Sequence, residues 1–192
     1  ARAGIVTPMR IDDDLRRATR DWIAADPDPA TRAELAALLA AGDEAALADR
    51  MEGTLAFGTA GMRGAVEAGS NRMNRAVVIR TTRGLADYLL AARPGARPVV
   101  VGFDGRLSSR AFAEDTVGVL AGAGLPVRYF PEVAPTPLVA YAARVLGAAA
   151  AVVVTASHNP PQDNGCKVYD ANAAQIVPPV DAGIAAAIER VG

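Results

Sequence analysis

The sequence has one histidine and one cysteine in 192 residues. With His158 alone, a hydrolase triad that draws on another imidazole is excluded, and no set of His, Cys and carboxylates stands at zinc spacing. With Cys166 alone, no intramolecular disulfide can form, so the fold does not depend on oxidation; the thiol reads as a small residue packed in a strand. An excess of one charge is also missing. Twenty Lys and Arg face 21 Asp and Glu, interspersed, for a net charge of −1. That excludes the polybasic footprint of a nucleic-acid or anionic-membrane binder. No apolar run approaches the roughly 18 residues that span a bilayer, and residues 1–10 lack an apolar core of secretory type, so the expected compartment is the cytoplasm. Ala1 in place of an initiator Met is read as a chain that has lost its start or is a piece of a longer one. Aromatics make up 5% of residues against 51% hydrophobic overall. The bulk is therefore Ala and Val, which suits helices packed tightly on a sheet.

The order of the elements can be read from periodicity and punctuation. Asp12-Asp13-Asp14 opens a helical pattern through Leu15, Trp22 and Ile23, with the acids complementing the helix N-terminus; no further ligands follow to make them a metal site. Asp28 and Pro29 suit an N-cap and first position, and that helix runs to about Ala41, where Gly42 ends it. A short helix restarts at Asp43. Residues 1–52 are thus expected as a helical N-terminal extension, and residues 53–192 as the main domain. In that domain a short strand is expected over 65–68 and a helix over 74–92, ended by Pro94-Gly95. A buried strand follows at 98–104, then a helix capped by Ser108 or Ser109 and closed by Gly122 and Gly124, and a strand over 127–130. A helix from Pro135-Thr136-Pro137 carries Leu138, Tyr141, Ala142 and Val145 on one side. Alternating strands and helices predict an α/β fold: a three-layer α/β/α domain with a mixed, mostly parallel sheet of about four strands.

The chain is organised around the stretch Val152-Val153-Val154-Thr155-Ala156-Ser157-His158-Asn159-Pro160-Pro161. The continuous apolar run ending at Val154 reads as a strand buried on both faces. Ser157 should then lie just past its carboxyl end, where open α/β sheets hold their ligands. Asn164-Gly165 reads as the two-residue turn of a hairpin that brings Lys167 back towards Ser157. A second loop, Phe57-Gly58-Thr59-Ala60-Gly61-Met62-Arg63-Gly64, carries three glycines and an arginine. Its glycines can turn the backbone to present N–H groups to an oxyanion, and the guanidinium fork of Arg63 suits phosphate. The spacing is neither the dinucleotide fingerprint nor the P-loop. A serine at a strand end is equally a turn or capping residue, and the residues alone leave both readings open. A cationic pocket round a hydroxyl fits a phosphate ester better than an acyl group, because phosphoryl transfer is largely positioning and charge neutralisation.

Three ordered motifs carry a resemblance. Thr155-Ala156-Ser157-His158-Asn159-Pro160 resembles the active-site serine loop of the α-D-phosphohexomutases, the phosphoglucomutase and phosphomannomutase family. The Phe57–Gly64 loop and the run Asp163-Asn164-Gly165-Cys166-Lys167-Val168-Tyr169 with Gln175-Ile176 resemble two further motifs, in the form seen in the phosphoglucomutase-2 and phosphopentomutase-like branch. The resemblance covers roughly residues 50–190 and implies the first of four domains. It implies that Ser157 is a phosphoserine exchanging its phosphoryl group with a hexose or pentose phosphate through a sugar 1,6-bisphosphate. Mg²⁺ would bind through the phosphate on Ser157. Catalytic roles would fall to Ser157, His158, Lys167 and Arg63, and phosphate binding to Arg63, Thr59, Asn159, Lys167 and Arg106. Asp104 and Arg106 are weaker candidates whose heavier reading is to hold the rim together. The Mg²⁺ loop, sugar selection and distal phosphate anchoring belong to domains II–IV of the full-length enzyme, so the chain by itself is expected to be inactive. Cys166 stands where the family more often has an aromatic. The alternative reading is a non-catalytic phosphosugar-binding or interaction fragment; a serine phosphatase or esterase lacks an identifiable water-activating base.

Overall fold

A computed structural model describes residues 13–59, 61–93, 95 and 97–191. Asp12, Ala60 and Pro94 of the expectations above lie outside the described residues. The elements run α1 (Asp13–Ala25), α2 (Pro29–Ala41), α3 (Glu44–Met51), β1 (Met62–Ala65), α4 (Arg75–Ala92), β2 (Val99–Phe103), α5 (Ser109–Gly122), β3 (Val127–Tyr129), α6 (Thr136–Val145), β4 (Ala150–Val154), β5 (Asp163–Asp170) and α7 (Val180–Glu189).

The sheet has five strands in the order β1-β5-β4-β2-β3. Strands β3, β2 and β4 pair in parallel, while β5 runs antiparallel to both β4 and β1. Four strands therefore share one direction and β5 opposes them, giving the mixed sheet of a three-layer α/β/α domain with one strand more than expected. All residues of β2 and β4 are buried, as their uninterrupted Val-rich runs require in a sheet covered on both faces.

The two faces are covered unequally. On one, Val152, Val154, Cys166, Val168 and Met62 pack with residues of α4, α5 and α7 in the main core. On the other, Val100, Ala151 and Val153 meet Val139 and Ala143 of α6. The helix comes close because Gly102 has no side chain: a Cβ there would lie 2.4 Å from a methyl of Val139. Here an expectation is corrected. Leu138, Tyr141 and Val145 do not form the packing face of α6; they are exposed, and small residues face the sheet. Close helix–sheet approach favours Ala and Gly over bulk.

Helices α1–α3 gather round Leu35, Leu47 and Ala68, with Trp22 also reaching the main core. Their caps follow the sequence: Asp28 accepts from the N–H of Ala30, and Gly42 ends α2 in the left-handed region at φ 67°. Asn74 caps α4 by accepting from Val77 N at 3.0 Å.

At the far end of the sheet Arg93 ties α4 to β5. It pairs with Asp170 at 2.6 Å and donates to the carbonyl of Ala149. The hydrogen bond from Arg93 holds the Asp170 carboxyl below its ordinary range. A depressed carboxyl stabilises the fold above the unfolded pKa and loses that contribution as pH falls through its folded value. Arg93→Met should therefore lower stability at neutral pH by about 1–2 kcal/mol. The gap from the parent should narrow on acidification below the ordinary aspartate pKa of about 3.9. Urea midpoints across this range check it; a gap independent of pH would leave the pair without an electrostatic role.

Candidate active site

Strand β4 ends at Val154, and the chain reverses over residues 155–162 into β5. The reversal is not made by Asn164-Gly165, as the sequence suggested. These two residues lie inside β5, opposite Gly64 and Arg63 of β1. Asn164 is fully buried and donates to Ser108 Oγ at 2.7 Å and Ser109 Oγ at 3.0 Å. A Cβ on Gly165 would lie 2.5 Å from the carbonyl oxygen of Met62 and 2.9 Å from that of Thr155. The pair is selected by packing against neighbouring backbone, not by a turn.

Ser157 sits at the tip of the reversal, exposed, with φ 56°. A left-handed conformation in a non-glycine residue carries strain, and such strain collects at functional sites. Its N–H donates to Thr155 Oγ1 at 3.0 Å. His158 beside it is exposed too. The loop is closed by Asn159, whose Nδ2 donates to Asp163 Oδ2 at 2.8 Å and whose N–H donates to the carbonyl of Ala156 at 3.0 Å.

Arg106 clamps this loop from the end of β2. Its Nη1 donates to the carbonyls of Pro160 at 2.7 Å and Asp163 at 2.9 Å; its Nη2 donates to those of Asn159 at 2.9 Å and Ser157 at 3.2 Å. Its Nε donates to Asp104 Oδ2 at 3.3 Å. Asp104 is fixed in turn by Ser109 Oγ at 2.6 Å and by the N–H of Arg106 at 3.1 Å. All five guanidinium N–H groups are engaged, so Arg106 has no donor left for a phosphate and the rim-holding role is the one its geometry supports.

Arg63 is not on the glycine loop but on β1, which begins at Met62 and not at Ala65. Arg63 lies opposite Gly165, and Thr155 N donates to Gly165 O at 3.0 Å, so Arg63, Gly165 and Thr155 share one rung across β1, β5 and the end of β4. Lys167 is two residues along β5, opposite Val153. Side chains at alternate strand positions, and those directly opposite, share a face. Arg63, Lys167 and Val153 are therefore on the α6 side. Helix α6 packs there chiefly over β2 and β4 and reaches β5 around Tyr169, leaving β1 uncovered by it. Neither Arg63, Lys167 nor His158 has a hydrogen-bonding or ion-pair partner among the described residues. This face of the sheet thus carries two uncompensated cations, Arg63 and Lys167, at the end from which the loop with exposed Ser157 and His158 leaves β4. An anion is what such a rim attracts.

The glycine loop is pinned to this sheet. Gly61, at φ 77°, packs so tightly against β5 that a Cβ would fall 1.9 Å from the carbonyl oxygen of Cys166. Thr59 Oγ1 donates to Asp181 Oδ2 at 2.6 Å, and Gln175 Nε2 donates to the carbonyl of Thr59 at 3.0 Å. The hydroxyl proton of Thr59 is directed to α7, away from any ligand on the face that carries Arg63 and Lys167. Nothing local singles out Asp181 as a site residue, and Asn164 reads from the sequence as a turn residue. Asp181 meets Thr59 across 122 positions, and no local pattern signals such a contact. Cys166 faces the opposite side from Lys167, in the main core, where burial pushes its thiol up to about 12. It is inert packing, as its isolation suggested.

Among the described residues there is no group of three His, Cys, Asp or Glu that could hold a metal. The carboxylates nearest the serine loop, Asp104 and Asp163, are engaged by Arg106 and Ser109 and by Asn159.

The comparisons agree with this architecture. Residues 54–192 match the family model described as phosphoglucomutase/phosphomannomutase, alpha/beta/alpha domain I. A "Probable phosphoribomutase" of Schizosaccharomyces pombe is 42% identical over 182 residues, covering 94% of this chain and 31% of that protein. A mouse "Phosphopentomutase" is 40% identical over 190 residues, covering 95% of this chain and 31% of that protein. A crystal structure of a phosphoglucomutase/phosphomannomutase family protein from Burkholderia thailandensis is 30% identical with a TM-score of 0.59, covering 69% of this chain and 29% of that one. The chain spans about a third of the length of the curated relatives it matches. A serine loop at the mouth of a mixed sheet, unpaired cations on one face of that sheet, and these matches together place the chain in the phosphoglucomutase/phosphomannomutase family, as its α/β/α domain I, on the branch that includes the phosphopentomutase-like proteins.

Proposed function

We propose that Ser157 is the phosphoryl carrier of a sugar-phosphate mutase, working in a full-length enzyme of which this chain is the first domain. The observation that carries the reading is the exposed, strained Ser157 two residues past the rung that Thr155 shares with Gly165 and the unpaired Arg63, with unpaired Lys167 on the same face. In the forward step the bond between Ser157 Oγ and phosphorus breaks, and a bond forms from phosphorus to a hydroxyl of a sugar monophosphate. The product is a bisphosphate. The hydroxyl's proton passes to His158 or to solvent at the rim, the departing Ser157 Oγ takes up a proton from the same source, and the sugar reorients to return its other phosphate to Ser157. Arg63 and Lys167 neutralise the equatorial oxygens of the transferring group, where charge stabilisation by fixed cations has most effect. Asn159 and Arg106 hold the loop in place. The names of the relatives weight the substrate towards pentose phosphates, with hexose phosphates as the wider class.

Mg²⁺ fits this chain only through a phosphate oxygen on Ser157. A near-octahedral shell needs more oxygen donors than the loop has free, so its other ligands would come from the remaining domains. Bound there, it would offset phosphate charge.

Intact-mass measurement of the full-length enzyme tests the reading. A population about 80 Da heavier, the mass of one phosphoryl group, should map to Ser157 and be discharged by substrate monophosphate. Phosphate never found at Ser157 would favour a phosphosugar-binding protein of the same fold. Without the remaining domains this chain should give no measurable turnover; a coupled assay at a normal enzyme rate on the isolated chain would overturn that expectation.

A further inference from the structure

Asn164 stands on β5 between the two faces of the sheet. Arg63 and Lys167 lie on the α6 side, so Asn164, like Met62 and Cys166, lies on the side of the main core. Its amide is fully buried there. Oδ1 accepts from the N–H of Gly165 at 2.8 Å. A backbone N–H only donates, so this contact fixes which way the amide points. Nδ2 is left to donate to Ser108 Oγ at 2.7 Å and Ser109 Oγ at 3.0 Å, at the start of α5. Ser108 precedes that helix without making a side-chain cap bond, although a serine in this position is ordinarily a cap. Ser109 is fully buried and donates its hydroxyl to Asp104 Oδ1 at 2.6 Å. With its proton spent on a carboxylate, Ser109 Oγ has only lone pairs to offer Asn164. The relay therefore has one polarity, amide to hydroxyl and hydroxyl to carboxylate. Asp104 in turn accepts from Arg106 Nε, and Arg106 holds the carbonyls of Ser157, Asn159, Pro160 and Asp163.

We propose that Asn164 is a positioning residue for Ser157, acting from the far face of the sheet through Ser109, Asp104 and Arg106. Without the amide, the Ser109 hydroxyl is no longer held, Asp104 is free to turn, and the guanidinium plane loses the partner that orients it. The serine loop moves with that plane. A displacement of about 1 Å at a reacting group costs up to roughly 10²-fold in rate. The kinetic consequence rests on the reading of Ser157 as the phosphoryl carrier; the effect on the loop does not.

His158 is the only histidine in the sequence, so its ring proton resonances report the serine loop of this chain directly. Asn164→Ala and Ser109→Ala should each move those resonances. Asn74→Ala, which removes another buried amide at the cap of α4, should destabilise the chain and leave them in place. In the full-length enzyme, Asn164→Ala and Ser109→Ala should each lower kcat by about tenfold with KM within about twofold. Introduced into Arg106→Ala, the same changes should lower kcat by no more than about a further twofold, because the path through which they act is already cut. Asn74→Ala should keep kcat within about twofold of the parent. Should Asn164→Ala fail to fold, Ser109→Ala decides alone. Unmoved His158 resonances, an unchanged kcat, a rise in KM in place of a fall in kcat, or the full loss repeated in the Arg106→Ala background would each overturn the proposal. A parent enzyme without turnover would instead remove the mutase reading, and the His158 resonances would still decide whether Asn164 sets the loop.

Discussion

Changing Ser157 to alanine in the full-length enzyme should lower mutase turnover by about 10⁴-fold or more, the scale on which enzymes lose rate when a nucleophile is removed. Ser157→Gly should be equally inactive. The two variants should differ in stability, however. Ser157 is held at φ 56°, a region that costs an L side chain about 1 kcal/mol and glycine almost nothing. In this chain, Ser157→Gly should therefore be more stable than Ser157→Ala by about 1 kcal/mol, measured by urea midpoints. Turnover retained in Ser157→Ala at a tenth or more of the parent rate would remove the carrier role. Equal stability of the two variants would show that the loop holds no strain at this residue. The two readouts fail separately, so activity and backbone strain can be judged independently.

Arg106→Ala should produce the largest structural loss near the site. The side chain is mostly buried and holds four carbonyls of the serine loop together with Asp104. Removing it takes the guanidinium donor from all four carbonyls and from Asp104 Oδ2, at a cost of about 3 kcal/mol or more. In the full-length enzyme kcat should fall by about 10²-fold, with KM changed far less, because a displaced nucleophile affects the chemical step more than substrate binding. Arg106→Lys should not rescue it, since a single ammonium cannot reproduce a planar fork shared among four acceptors. A rise in KM for the sugar phosphate with kcat intact would instead make Arg106 a substrate ligand.

Much of the architecture was legible because its signals are local. The Val-rich runs of β2 and β4, Asp28-Pro29 and Gly42 at the ends of α2, and Asn74 before α4 each act over a few residues. The position of Ser157 past the end of β4 follows from one such run. What could not be read depends on partners distant in sequence. Asn164-Gly165 looks like a hairpin turn, but Ser108 and Ser109 claim the amide and the carbonyl of Met62 leaves room for nothing larger than glycine. The apolar stripe of α6 looks like a core face, yet Gly102 draws the helix in by its small residues and turns the stripe outward. The placement of Arg63 on a strand needed its pairing with β5. The anchoring of Thr59 needed Asp181, far along the chain.

Strand β5 is hydrogen-bonded on both edges, with the Lys167 ammonium on one side of the sheet and the Cys166 thiol on the other. Its neighbours hold its register on both sides. A slip of the strand by a single residue would exchange the two, seating a thiol among the cations and forcing an ammonium into oil, whereas a slip of two would keep each on its own side. Length changes should therefore be tolerated in the 155–162 reversal and not within β5 itself.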